Sequence, residues 1–177
     1  MFFFRYQMLE AIGSGQYGQV YKGLCLKTQE IVAIKELSMR AISTHHFIRE
    51  LRTLSWNRHP NLVNLIGVEY SSEGRYLILE YCDQGTLRDS INDSLSMQFK
   101  LQLIQDILRG LSSLHAHGIC HCDLKPENIL LVQGGGRLHA KIADLGSAIR
   151  RDVFSNQKSL EPQTHLGSPA YMAPERF

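Results

Sequence analysis

The sequence predicts an α+β fold in two lobes: an antiparallel β lobe with one helix over residues 1–81, then a mainly helical lobe over 82–177. Three observations predict it. Short β-prone runs separated by turn signals fill the first part of the chain. A lone helix-period stretch interrupts them. After Tyr81 the texture changes to long helical periodicity.

The runs "QMLEAIG", "GQVYKGLCL", "EIVAIKEL", "NLIGVEY" and "RYLILEY" are the expected strands, with "GSG", "KTQ" and "SSEG" as turns. The helix is "THHFIRELRTLSW", where Phe47, Leu51 and Leu54 recur at helical spacing on one face. A connector at Tyr81–Gly85 leads to a short helix, "TLRDSIND". A long amphipathic helix follows, with Ser96 as N-cap, Gly118 as stop, and Leu101, Ile104, Leu108 and Leu111 as its apolar stripe. Two short strands, "NILLV" and "LHAKIAD", are joined by a "QGGG" turn, and from Ser147 onward the chain reads as polar loop.

Composition narrows the function classes. A chain that is 44% hydrophobic and 20% charged is globular; its net charge of +2 argues neither for nor against nucleic acid, but no lysine/arginine run or basic stripe is visible, so no nucleic acid is expected as partner. The four cysteines, Cys25, Cys82, Cys120 and Cys122, lack a disulfide framework and suit a reducing compartment. "MFFFRY" is too short for a signal core or a membrane span. The expectation is a soluble cytoplasmic protein, with a nuclear location as the alternative.

Several short motifs carry chemistry. "IGSGQYGQV" places Gly13, Gly15 and Gly18 in G-x-G-x-x-G-x-V, read either as a tight hairpin or as a phosphate-covering flap. A dinucleotide fold would need a helix after these glycines, whereas the strand "QVYKGL" follows. Lys35 ends the apolar run "VAIK", as an edge charge or as a partner for Glu50 on the helix. In "HCDLKPENILL", the carboxylate of Asp123 can accept a hydroxyl proton and the amide oxygen of Asn128 can ligate a divalent ion. Asp144 in "DLG" offers a second oxygen ligand, and "GSPAYMAPE" ends at Glu175.

In this order, from about Tyr6 to Glu175, the chain resembles a eukaryotic protein kinase. The resemblance implies a bilobal kinase-like fold and the cofactors ATP and Mg2+. It implies that Gly13, Gly15, Gly18 and Val20 cover the nucleotide while Lys35 and Glu50 clamp its phosphates. Ile12, Ala33, Leu79 as gatekeeper, the hinge Glu80–Cys82 and Leu130 complete the cofactor-binding set. Asp123 is the implied catalytic base, Lys125 steadies the transferred group, and Asn128 and Asp144 hold the metal. "DLKPEN" and "GSPAYMAPE" resemble the serine/threonine type, so the implied partner is a protein with a serine or threonine acceptor, Ser168 bridging Asp123 and Lys125. "HPNLVNLIGV" and "LILEYCDQGTL" resemble the tyrosine-kinase-like and mitogen-cascade groups.

The sequence departs from that family pattern in places. Cys122 stands where most members carry an arginine that pairs with an activation-loop phosphate, and Ile149 is apolar where several carry a second basic residue. Activity is therefore expected not to depend on a phosphate at Thr164, with Ser155 and Ser159 as further modifiable hydroxyls. Leu145 replaces phenylalanine after Asp144, and a regulatory spine of Leu54, Leu65, His121 and Leu145 is expected to assemble. The chain stops at Phe177, so the helical lobe is expected to be incomplete, with part of the Leu101/Ile104/Leu108 face left open and weak activity in isolation.

The alternative function is an ATP-binding pseudokinase or scaffold without transfer. A second rival is a zinc site in "HAHGICHC" from His115, His117, Cys120, His121 and Cys122. Against zinc, His121 has a structural role by family likeness, and His115 and Cys120 are expected at core positions.

Overall fold

The computed structural model describes residues 5–15, 18–37, 44–72, 74–91, 95–150 and 167–174. Thr164, Ser155, Ser159 and Glu175 lie outside them. The chain forms two compact units, one comprising Met1–Arg58 with Val63–Cys82 and the other His59–Leu62 with Asp83–Phe177.

The first unit is built on an antiparallel sheet of β1 (Tyr6–Gly15), β2 (Gly18–Cys25), β3 (Ile31–Leu37), β4 (Leu65–Tyr70) and β5 (Arg75–Glu80), in the order β1-β2-β3-β5-β4. Alternation along the strands divides its faces. One carries the apolar cluster Tyr6, Val32, Ile34, Tyr76 and Ile78, with Met8, Tyr21 and Cys25 packed against it. The register Val20↔Lys35↔Leu77 and Ala33↔Leu79 places Val20, Ala33, Lys35 and Leu79 together on the opposite face. Helix α1 (Thr44–Trp56) docks there through buried Phe47, Glu50 and Leu54, which recur at helical spacing. Tyr70 meets the Phe47 ring edge-on at 6.1 Å, and the Arg75 guanidinium lies 5.1 Å from that ring's centroid.

In the second unit, α2 (Leu87–Ser90) begins with a capping box: Thr86 Oγ1 accepts from Asp89 N–H while the Asp89 carboxylate accepts from Thr86 N–H. Helix α3 (Met97–Ala116) starts at Ser96, whose Oγ accepts from Phe99 N–H, and ends before Gly118 at φ 68°. The apolar stripe on α3 lies open at the three residues where an open face is expected, and the helix buries a different face. Leu101, Ile104 and Leu108 are 53%, 51% and 58% exposed, while Leu103, Asp106, Gly110 and Leu114 are buried.

Strands β7 (Ile129–Gly134) and β8 (Arg137–Ile142) form a hairpin packed on α3, and β6 (Ile119–Cys120) pairs with β9 (Ile149–Arg150). The two-residue β6 and β9 fall below what a pattern of alternation can reveal. The excursion His59–Leu62 is tied to the hairpin: Ile142 N–H donates to Asn61 O at 2.9 Å and Asn61 Nδ2 donates to Ala140 O at 3.0 Å. His115 and Cys120, expected in the core, are both exposed; the adjoining Leu114 on α3 and Ile119 on β6 take the buried positions instead. Cys25 and Cys82 are half-buried. Among the described residues no helix is long and apolar enough to cross a membrane.

Candidate active site

In the first unit Lys35 Nζ lies 2.7 Å from Glu50 Oε1, with the side chains only 10% and 5% exposed. Glu50 is buried because it shares the α1 face of Phe47 and Leu54, so the helix period that seats those residues carries the carboxylate inward too. A buried cation needs such a partner, and the pair holds the ammonium in one place. Val20 and Ala33 share the sheet face of Lys35, and Ile12, Gly13 and Gly15 lie on β1 across from β2. Gly18, at φ 143°, sits so close to Glu36 that a Cβ would fall 1.9 Å from its carbonyl oxygen; only glycine fits. Leu79 and Glu80 close β5, and the Glu80 carboxylate accepts from Asn64 N–H at 2.9 Å and Nδ2 at 3.3 Å. Cys82 is the unit's last residue.

In the second unit a hydrogen-bond net surrounds Asp123. Oδ1 accepts from Ser168 N–H at 2.8 Å, and Oδ2 takes Asn128 Nδ2 at 3.1 Å and Lys125 Nζ at 3.0 Å. Lys125 Nζ also donates to Ser168 Oγ at 2.7 Å. The carboxylate is thus aimed from both sides, and Ser168 touches both Asp123 and Lys125. Gly167 permits this: at φ 114° it lies against Cys122, where a Cβ would be 2.5 Å from the carbonyl oxygen. Ser168→Ala removes one charge-assisted hydrogen bond, so for the ATP-dependent transfer that the family resemblance implies, kcat is expected to fall about tenfold with nucleotide affinity retained. Steady-state kinetics with varied ATP checks it, and an unchanged kcat contradicts a role for the hydroxyl.

His121 supports the loop from beneath. Asp123 N–H donates to Nδ1 at 3.2 Å, which leaves the ring proton on Nε2, 2.9 Å from Ala143 O. Burial lowers its pKa below the usual 6.5, outweighing the Ala143 carbonyl and the charges of Asp144 and Asp123. A depressed folded-state histidine pKa means the unfolded chain protonates first. Stability is therefore full above about pH 6.5 and declines as pH falls below it, by at most about 1.4 kcal/mol per pH unit for one proton. Unfolding midpoints between pH 7.5 and pH 5 should show a slope that flattens in His121→Gln.

The hairpin register Ile129↔Ile142 continues into Ala143 N–H donating to Asn128 O at 2.8 Å, which sets Asn128 beside the strand end that carries Asp144. Asn128 Nδ2 faces two acceptors, Asp123 O at 2.8 Å and Oδ2 at 3.1 Å. A reversed amide would set oxygen against oxygen, so the nitrogen is committed and the amide oxygen is the atom left for a ligand. Asp144 takes the left-handed conformation at φ 58°, ψ 71°, which aspartate tolerates better than most residues. An amide oxygen and a carboxylate form a hard-oxygen donor set that fits Mg2+ with phosphate oxygens and water. Leu130 bridges Thr86, and Leu131 exchanges backbone bonds with Gln84 and Gly85, fixing the start of this unit along β7. Leu145 is buried after Asp144.

Three members of the soft-ligand run have other partners. His117 Nδ1 lies 2.8 Å from Ser113 O, His121 spans Asp123 and Ala143, and Cys122 Sγ donates to Cys120 O at 3.5 Å. Among the described residues no group of three or more His, Cys, Asp or Glu side chains is arranged to hold a metal.

One cluster escaped the sequence reading. Asp106, 1% exposed, accepts from Arg137 at 3.0 and 3.2 Å and from Ala140 N–H at 3.2 Å, with Arg109 at 3.5 Å and His139 at 3.6 Å. It joins α3 to β8. An acid spaced three and four residues from Leu103 and Gly110 was the available signal.

The family described as "Protein kinase domain" matches residues 6–177. Mitogen-activated protein kinase kinase kinase 4 of Mus musculus is 35% identical over 97% of this chain and 11% of its own length. Serine/threonine-protein kinase ULK3 of Homo sapiens is 36% identical over 95% of this chain and 36% of its own. Serine/threonine-protein kinase RUNKEL of Arabidopsis thaliana is 35% identical over 98% and 12%. The chain thus spans from about a tenth to about a third of these relatives.

Proposed function

The chain belongs to the protein kinase family, and from that membership we propose that it transfers the γ-phosphoryl group of ATP to serine or threonine hydroxyls of protein substrates, with Mg2+ as cofactor. The observation that carries the reading is the Asp123 carboxylate, oriented by Ser168 N–H, Asn128 and Lys125. The acceptor hydroxyl attacks the γ-phosphorus in line as the bond to the β–γ bridging oxygen breaks and ADP departs. Asp123 orients that hydroxyl and accepts its proton. Lys35, fixed by Glu50, binds the α- and β-phosphates, and Lys125 offsets charge on the group in transit. Asn128 and Asp144 would hold the metal, which supplies neutralisation of phosphate charge when bound.

The test incubates a protein containing residues 1–177 with γ-labelled Mg·ATP and a generic protein substrate. Label in phosphoserine or phosphothreonine is expected. Nucleotide affinity without transfer would point to a binding protein, and absence of both would sink the proposal.

A further inference from the structure

The active-loop thiols serve no step of the transfer just described, and their placement has a chemistry of its own. Cys120 ends β6 with its side chain exposed, and Cys122 is half-buried two residues on. Cys122 has φ 66°, in the left-handed region where a residue with a Cβ is uncommon. At ordinary negative φ the Cβ stands away from the preceding carbonyl carbon; at this φ it swings to a gauche angle and curls back along the chain. The thiol consequently reaches the residue before last, with Sγ donating to Cys120 O at 3.5 Å. Residues two apart lie at most about 7 Å between Cα atoms, next to the roughly 4.4–6.8 Å that a disulfide spans. His121, between them, is anchored on both ring nitrogens.

We propose that Cys120 and Cys122 are a peroxide-sensitive dithiol that closes to an intramolecular disulfide beside the catalytic aspartate. The exposed Cys120 thiolate attacks one oxygen of hydrogen peroxide, the O–O bond breaks, and the sulfur becomes a sulfenic acid while the departing hydroxide takes up a proton to leave as water. Cys122 Sγ then attacks that sulfur; the S–S bond forms, and the hydroxyl leaves as water with the Cys122 proton. Two thiols lose two electrons in all, and one peroxide becomes two waters. Closure reorients Cys122, whose carbonyl is packed on Gly167 and whose C-terminal neighbour is Asp123. Through those contacts the disulfide disturbs the Ser168 bond to Asp123 and lowers transfer. The effect on transfer rests on the kinase reading; the sulfur chemistry does not.

The test therefore reads mass and activity separately. The chain is treated with graded hydrogen peroxide, alkylated and cut with trypsin. Cleavage at Arg109 and Arg137, with Lys125 shielded by Pro126, yields one peptide holding Cys120 and Cys122 and no other cysteine. Expected is a peptide about 2 Da lighter that takes no alkylating agent until dithiothreitol is added, and that does not form in Cys120→Ser. Phosphotransfer should fall several-fold in parallel, return with dithiothreitol, and resist the same peroxide in Cys120→Ser. Two alkylatable thiols after oxidation, separate sulfinic acids, or a cross-link between chains would each overturn the disulfide. A disulfide that forms while transfer stays unchanged would overturn its effect on the catalytic loop. If the reduced chain shows no transfer at all, it is the kinase reading that fails, and the mass readout still decides the sulfur chemistry.

Discussion

Asp123→Asn should lower kcat by about 10²–10⁴-fold, the range for loss of a positioned general base, while nucleotide affinity changes little. The substitution keeps shape and removes both charge and proton acceptance. It also creates a local conflict. Oδ1 accepts from Ser168 N–H, and Oδ2 faces Asn128 Nδ2 and Lys125 Nζ. An asparagine has one acceptor oxygen, so its NH2 must meet either the Ser168 N–H or the other two donors. The loop then loses at least one of its bonds, at a cost of about 1–3 kcal/mol for each orphaned donor that stays buried. Single-turnover transfer and nucleotide titration separate the outcomes. A kcat within about threefold of the parent would remove Asp123 from the chemistry.

Asp106→Ala should destabilise the second unit by about 3 kcal/mol, the low end for breaking a buried ion pair. Arg137 is 31% exposed and can turn toward water, which limits the loss, but Ala140 N–H is left without its acceptor. Burial alone would raise the Asp106 pKa; the hydrogen bonds from Arg137 and Ala140, with the charges of Arg137 and His139, outweigh it and hold the pKa below 3.8. A depressed carboxylate contributes fully above about pH 4, and its contribution is lost as pH falls through the folded-state value. Denaturant unfolding should show the deficit at pH 7, shrinking below pH 4 as the parent loses the same interaction. An equal deficit at every pH would mean that packing, not charge, makes the site.

These two residues differ in how far the sequence discloses them. Asp123 lies in a contiguous motif, and its neighbours Lys125 and Asn128 are within five positions. Glu50 was legible through the family resemblance that pairs it with Lys35, fifteen residues away; taken alone, a glutamate on this helix reads as a solvated residue, whereas the structure buries it beside Phe47 and Leu54. Asp106 finds Arg137 31 positions away, across a hairpin whose register no local pattern announces. The α3 stripe shows another limit. Spacing revealed that Leu101, Ile104 and Leu108 align, yet periodicity does not say which face the hairpin covers, and it covers the face of Leu103, Gly110 and Leu114. The left-handed backbones at Cys122 and Asp144 were also hidden, since neither is the glycine that ordinarily signals them.

The excursion His59–Leu62 bears on any attempt to dissect the chain. A single cut after Cys82 would strip the C-terminal piece of Leu62, the parallel neighbour of Ile142, and of the Asn61 amide that bonds Ala140. Expression of 83–177 alone should thus give a product that recovers protease resistance only when a peptide containing residues 59–62 is supplied in trans.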